Sequence, residues 1–204
     1  MSARRQTDVI LLDFSKAFDK VPHKRLLGKL HYYGVRHQVL MWIGCFLHDR
    51  HQKVVLEGSC SQASPVTSGV PQGTVLGPLL FLAYINDLPL AVSSHIRLFA
   101  DDCIVYRTIN NASDATSLQQ DLNRLQEWEK TWQMTFHPEK CQVLRVTNKR
   151  NPLMAEYTIH GHILQVTDNA KYLGVNMDSK LNWNYHVSQT ANGRHPTRLQ
   201  QSLR

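Results

Sequence analysis

The sequence predicts an α+β domain in which a mostly antiparallel sheet carries helices packed on one face. Three observations carry this. The apolar run Val9-Ile10-Leu11-Leu12 ends on Asp13, as a central strand does when it delivers a carboxylate to the edge of a sheet. A second apolar segment, Leu98-Phe99-Ala100-Asp101-Asp102-Cys103-Ile104-Val105-Tyr106, holds two adjacent acids between strand-like halves. Beyond it, Leu118, Leu122, Leu125, Trp128 and Trp132 recur at helical spacing, which marks an amphipathic helix covering the sheet. A chain of 204 residues with 42% apolar residues can bury one sizeable core.

Taken in order, the strand at 9–12 comes first. Helices over 24–33 and 38–47 follow, separated at Gly34; the first carries Leu26, Leu27 and Leu30, the second Val39, Leu40, Trp42, Ile43, Phe46 and Leu47. A hairpin pairs 52–56 with 64–67 around Gly58. The glycine-punctuated stretch Pro71-Gln72-Gly73 to Leu76-Gly77-Pro78 then feeds an apolar helix over 79–85. Asn86, Asp87 and Pro89 interrupt that helix well short of the roughly 20 residues a membrane span needs, so no membrane is predicted as a partner. The long helix runs over 117–136, with Asn111 or Ser113 as its cap and Pro138 as its stop. Lys171-Tyr172-Leu173-Gly174-Val175 reads as a strand.

The paired acids carry the chemistry. Asp is a poor strand residue, and two side by side repel each other and cost desolvation, which a divalent cation offsets. A solvated hairpin tip is the plain alternative. Asp13 changes the balance: if the two strand ends are neighbours, Asp13 and Asp101 can share two Mg²⁺ ions, the arrangement of a nucleotidyltransferase. Adjacent strand residues face opposite ways, so Asp101 is read as the direct ligand and Asp102 as its support.

Composition agrees without deciding. The net charge of +7 suits a polyanionic partner, and equally a ribosomal or membrane-surface protein. Cys45, Cys60, Cys103 and Cys141 show no zinc spacing and read as free thiols in a reducing compartment. His48, His51, His160 and His162 read as loop residues. The first residues lead directly into a strand rather than into a cleavable apolar segment, so no signal peptide is expected.

Leu12-Asp13-Phe14-Ser15-Lys16-Ala17-Phe18-Asp19-Lys20-Val21-Pro22-His23, Ser68-Gly69-Val70-Pro71-Gln72-Gly73-Thr74-Val75-Leu76-Gly77-Pro78 and Phe99-Ala100-Asp101-Asp102 resemble, in this order, three signature blocks of reverse transcriptases. The combination most resembles RNA-directed DNA polymerases of non-LTR retrotransposons, the jockey-like and related LINE elements, over residues 7–178. The resemblance implies a polymerase palm over 1–178, with 179–204 a truncated thumb start or disordered tail. It implies dNTP addition to a primer 3′-hydroxyl by a two-metal mechanism, with an RNA template, a DNA primer and dNTPs as partners. Mg²⁺, with Mn²⁺ as a substitute, would be held by Asp13, Asp101 and Asp102.

By the same resemblance Phe14, Phe18, Gln72 and Gly73 contact the nucleotide, Phe18 lying under the sugar and leaving no room for a 2′-hydroxyl. Asp19 is read as a helix-start or turn acid. Phe136-His137-Pro138-Glu139-Lys140-Cys141 resembles a fourth block whose lysine, here Lys140, is a general acid for the departing pyrophosphate. Tyr172, Leu173 and Gly174 match the hairpin that grips the primer, the glycine allowing two backbones to approach closely. The resemblance places the protein inside the cell, in the nucleus for the full-length element protein, with the cytoplasm as the alternative.

The chain also departs from its family. About a dozen residues precede Asp13 where the resemblance implies fingers, and a thumb cut short and a missing endonuclease region are expected. Two functional readings therefore follow: a catalytic palm, or an inactive or domesticated fragment that at most binds nucleic acid. A palm without its neighbouring fingers is expected to expose apolar surface.

Overall fold

The computed structural model describes residues 5–192. The chain opens with β1 (Gln6–Asp13), a single helical turn α1 (Ala17–Lys20), and the helices α2 (His23–Tyr32) and α3 (His37–Leu47). Four two-residue strands follow: β2 (His51–Gln52), β3 (Val55–Leu56), β4 (Ser59–Cys60) and β5 (Ser64–Pro65). Next come α4 (Leu76–Ile85), a 3-10 turn (Leu88–Ala91), β6 (His95–Phe99), β7 (Asp102–Thr108) and the long α5 (Ala112–Trp132). The last part holds β8 (Gln142–Thr147), β9 (Thr158–Ile159), β10 (His162–Ile163), β11 (Gln165–Thr167), β12 (Asn169–Tyr172), β13 (Val175–Asp178) and α6 (Trp183–Asn192).

The main sheet has the order β11-β8-β1-β7-β6. Its centre is β1, antiparallel to both β7 and β8, while β11 joins β8 in parallel. Burial along β1 alternates residue by residue: Gln6, Asp8, Ile10 and Leu12 are buried, and Thr7, Val9, Leu11 and Asp13 are half-buried. Successive strand residues point to opposite faces, so the first set lies under the helices and the second, which includes Asp13, lies on the outer face. Ile10, Leu12, Cys103 and Val105 share one core with Leu118, Leu122 and Leu125 of α5 and Phe81 and Tyr84 of α4. The three α5 leucines are completely buried, and each contributes about 1.5–3 kcal/mol relative to an exposed position. The predicted class holds: an antiparallel-dominated sheet with helices on one face.

Several elements differ from their predicted form. The long helix starts earlier and stops sooner. Asn111 and Asp114 close a reciprocal capping box, and Gln133 turns left-handed at φ 56°. Phe136, placed at the helix end by its spacing, instead forms an isolated bridge with Phe14. The predicted hairpin splits into an outer pair, β2 with β5, and an inner pair, β3 with β4, turning at Glu57 (φ 49°) and Gly58 (φ 82°). Val54, Val55 and Leu56 on it are exposed. In α3 only Ile43 and Leu47 are buried, and Val39, Met41 and Trp42 lie open. The exposed apolar surface expected of a palm is thus present. Residues 183–192 of the predicted tail are helical, and the remainder of the tail lies outside the described residues.

One buried charge gave no sequence signal. Lys29 of α2 is 3% exposed, with Nζ 2.5 Å from both the Tyr84 carbonyl and Asp87 Oδ1, and 3.6 Å from the centre of the Trp132 ring. Burial pulls its pKa down to about 8, against the opposing pull of Asp87.

Candidate active site

Asp13 is the last residue of β1, and its register partner across the antiparallel ladder is Asp102, the first residue of β7. The two predicted strand ends are therefore direct neighbours. Asp101 precedes Asp102 in the two-residue turn between β6 and β7, where Ala100 is held at φ 50°. That conformation costs an L-residue roughly 1–2 kcal/mol, and the closed hairpin supports it. Burial raises the pKa of Asp102, and the carboxylates of Asp101 and Asp13 add to the shift. Three acids thus share one sheet edge without neutralising one another.

The residues after Asp13 are fixed from α1 and from the segment after α5. The Ser15 N–H donates to the Thr135 carbonyl, and the His137 N–H donates to the Asp13 carbonyl, both at 2.7 Å. Between these bonds the Phe14 ring stacks on Phe136 with centroids 4.5 Å apart. Phe14 is 3% exposed, so its ring belongs to the core, and a contact with the nucleotide would have to be made by its backbone. Phe18 is half-buried and stacks on Phe81 at 4.4 Å.

The glycine-punctuated loop is clamped onto α1. The Val70 N–H donates to the Phe18 carbonyl at 2.7 Å, and the Gly69 N–H to the Val21 carbonyl at 2.8 Å. His23 Nε2 donates to the Gly69 carbonyl at 2.8 Å. Gly69 sits at φ 89°, and a Cβ there would lie 2.7 Å from the Asp19 carbonyl oxygen. Gln72 Nε2 donates to Asp19 Oδ1 at 3.1 Å, so Asp19 is a turn acid that also fixes the amide expected at the nucleotide. Gly73, at φ 78°, has open space where a side chain would begin.

Lys140 reaches the acids from the strand entry before β8, its Nζ 3.3 Å from Asp13 Oδ2. Together with Asp13, Asp102, Lys171 and Tyr172 it lines a cleft of about 380 Å³. Tyr172 and Val175 flank the β12–β13 turn, in which Leu173 (φ 49°) and Gly174 (φ 81°) are both left-handed. Nothing lies within 4 Å of a Cβ on Gly174, so the predicted close backbone approach is replaced by another cause: this glycine serves the turn's positive φ. Burial raises the Tyr172 hydroxyl pKa, and the nearby Asp102 carboxylate acts in the same direction.

A second, larger hollow of about 790 Å³ lies between α2 and the base of the hairpin, lined by Lys20, His23, Lys24, His48, Arg50 and His51. The early histidines, read as loop residues, thus belong to a basic concavity.

The donor chemistry fits a hard dication. Among the described residues no group of three His, Cys, Asp or Glu side chains is arranged to hold a metal ion, so Asp13, Asp101 and Asp102 do not form a ready-made three-ligand site. Mg²⁺ in phosphoryl-transfer sites is held by one or two carboxylates, waters and substrate phosphates, which requires no such site. Asp13, Asp101 and Asp102 offer hard oxygen donors whose mutual repulsion a cation would relieve.

Comparison with known proteins decides the family. A family model described as Reverse transcriptase (RNA-dependent DNA polymerase) matches residues 2–177. The chain belongs to the reverse transcriptase family. Among curated proteins it is 32% identical to the probable RNA-directed DNA polymerase from transposon BS of Drosophila melanogaster, over 90% of this chain and 21% of that protein. It is 31% identical to the RNA-directed DNA polymerase from mobile element jockey of the same species, over 87% of this chain and 20% of that protein. This reverse transcriptase chain therefore spans about a fifth of the length of those relatives, and the jockey-like resemblance is upheld. In fold it is similar to an apo telomerase from Candida tropicalis truncated from its C-terminal domain, with a TM-score of 0.56 at 13% identity, over 87% of this chain and 35% of that one.

Proposed function

We propose that the chain is the catalytic palm of an RNA-directed DNA polymerase of a non-LTR retrotransposon, which adds dNTPs to a primer 3′-hydroxyl on an RNA template. The observation that carries this reading is the facing pair Asp13 and Asp102, with Asp101 beside them and Lys140 3.3 Å from Asp13. Two Mg²⁺ ions, or Mn²⁺ in their place, would supply activation of the primer hydroxyl and charge neutralisation at the pyrophosphate.

The protein's own groups do the rest. Asp13 and Asp102 present oxygen donors from paired strand ends and Asp101 from the adjoining turn, and the arriving metal ions and substrate would draw the three together. Lys140 leaves Asp13 for the triphosphate and donates a proton to the departing pyrophosphate. The Phe18 ring, backed by Phe81, bounds the sugar and rejects a 2′-hydroxyl. Gln72 and Gly73 lie against the base pair, Gly73 leaving open space beside it. The β12–β13 turn at Tyr172, Leu173 and Gly174 steadies the primer end. The basic hollow holds template phosphates, since lysine and arginine displace counterions from nucleic acid. Fingers, thumb and endonuclease functions belong to other parts of the element protein, which works in the nucleus where its genomic target lies.

Primer extension on an RNA template with Mg²⁺ and dNTPs, comparing the parent with Asp101→Asn, tests the proposal. Extension by the parent and not by the variant supports it. Extension by neither, with both folded and both retaining RNA in a filter assay, supports the fragment reading, in which the chain binds nucleic acid without catalysis.

A further inference from the structure

The support behind Asp13 leads to a buried carboxylate that no signature block contains. Glu129, near the end of α5, is 3% exposed, and its Oε1 accepts the Phe136 N–H. Phe136 forms the bridge with Phe14, and its neighbours make the two backbone bonds on either side of Phe14, one of them at Asp13 itself: Thr135 accepts from Ser15, and His137 donates to the Asp13 carbonyl. One carboxylate therefore fixes the middle of the three-residue segment against which the metal-acid turn is laid. A buried charge on a helix is expensive unless its acceptor capacity is used. Here part of that capacity goes to a backbone N–H.

The other side of Glu129 faces a hairpin. His160 Nε2 lies 3.0 Å from Oε2 and 3.3 Å from Oε1. His160 and Gly161 form the left-handed turn between β9 and β10, and α5 holds that turn at two further points. Gln126 Oε1 accepts the His160 N–H, and Gln119 exchanges two hydrogen bonds with the Thr158 backbone. Burial raises the Glu129 pKa, while the Phe136 N–H, His160 and Lys130 act against it. Cys141 also feels the Glu129 charge.

We propose that Glu129 is a positioning residue for Asp13, acting through the Phe136 N–H and the paired backbone bonds at Ser15 and His137, and that His160 holds Glu129 in place from the β9–β10 hairpin. The assignment of Asp13 as a metal ligand rests on the polymerase reading. The backbone support does not, and the two are measured separately.

Amide hydrogen exchange of the 204-residue chain reads the support directly. In Glu129→Ala the Ser15 and His137 amides are expected to lose protection by about tenfold or more, because an unsatisfied buried N–H at Phe136 frees the segment to open. Glu129→Gln retains an oxygen for the Phe136 N–H, so protection stays within about threefold of the parent. Leu122→Ala, buried on the same helix, serves as the comparator for general loss of stability. Equal loss in Leu122→Ala and Glu129→Ala at matched stability, or unchanged protection in Glu129→Ala, overturns the proposal.

Mn²⁺ broadening of the Asp13, Asp101 and Asp102 resonances provides the second readout. Weaker broadening in Glu129→Ala, restored in Glu129→Gln, extends the support to metal affinity. If the parent shows no broadening, the metal reading fails, and the exchange result still decides the role of Glu129.

Discussion

Asp13 and Asp102 stand directly opposite each other across the β1–β7 ladder, so two carboxylates occupy one cross-strand pair. Like charges placed this way are destabilising. The folded pKa of Asp102 is raised, so its protonated form is favoured in the fold. The stability linked to that proton is full below the unfolded value of 3.8 and is lost as pH rises through the elevated one. Asp102→Asn should therefore raise the metal-free Tm at pH 7 by about 1–3 °C, the scale of a like-charge contact in a domain of this size. The gain should vanish near pH 3, and Mg²⁺ should stabilise the parent but not the variant. Thermal melts at the two pH values, with and without Mg²⁺, check this.

Gly69 and Gly28 differ in what an added side chain would meet. A Cβ at Gly69 meets the Asp19 backbone at 2.7 Å and also sits at φ 89°. Gly69→Ala should cost roughly 2–4 kcal/mol, combining left-handed strain with a forced backbone shift. Gly28, inside α2, has nothing within 4 Å of its would-be Cβ, and Gly28→Ala should stabilise by about 0.5–1 kcal/mol. Urea unfolding of both variants measures the contrast.

Phe18 rests on the Phe81 ring, which limits how far its own ring can shift. In a polymerase-active form, Phe18→Ala should lower the preference for dNTP over rNTP by at least about tenfold, with a loss of stability from the cavity beside Phe81. An unchanged ratio of kcat/KM for the two nucleotides would remove Phe18 from the sugar site.

Lys29 makes stability rise in alkaline solution. Its folded pKa is lowered to about 8 from the ordinary 10.5, so the unfolded chain binds more protons between those values. The contribution is fully present above about 10.5 and is lost as pH falls through 8. Lys29→Met should flatten this part of the pH profile. At pH 7.5, below that folded pKa, it should also cost about 3 kcal/mol by leaving Asp87 without its cation. Chemical denaturation between pH 7.5 and pH 10.5 tests both.

The thiols divide by burial. Cys45 and Cys60 are exposed, whereas Cys103 and Cys141 are 1% exposed. Burial pushes the Cys103 thiol well up and the Cys141 thiol to about 11. A disulfide reagent on the native chain should therefore react with two thiols promptly and release the other two only on unfolding.

Much of the site was readable in the sequence because it lies where the hydrophobic pattern ends. Asp13 and the 101–102 pair interrupt apolar runs, and the strands they terminate pair as expected. The α5 stripe was equally plain, because five apolar residues at helical spacing leave one face to bury. Where the reading failed, direction rather than identity was at issue. The ring of Phe14 lies inward because it continues the alternation of Ile10 and Leu12, which the motif-based reading passed over. Trp42 matches a core stripe but faces outward, since α3 meets the domain along a narrow seam. Lys29 and Glu129 sit at charged positions of their helices, which read as solvent faces until the tertiary partners Asp87 and Phe136 are known.

The central place of β1 has a temporal consequence. It precedes both of its neighbours, β7 and β8, which lie about 90 and 140 residues further along the chain. Pairings of such long sequence separation form slowly, because the loop must close before any contact rewards it. During synthesis β1 therefore waits for both neighbours, and Asp13 meets Asp102 only once the intervening segment has been made. The nascent chain is most prone to aggregate in that interval.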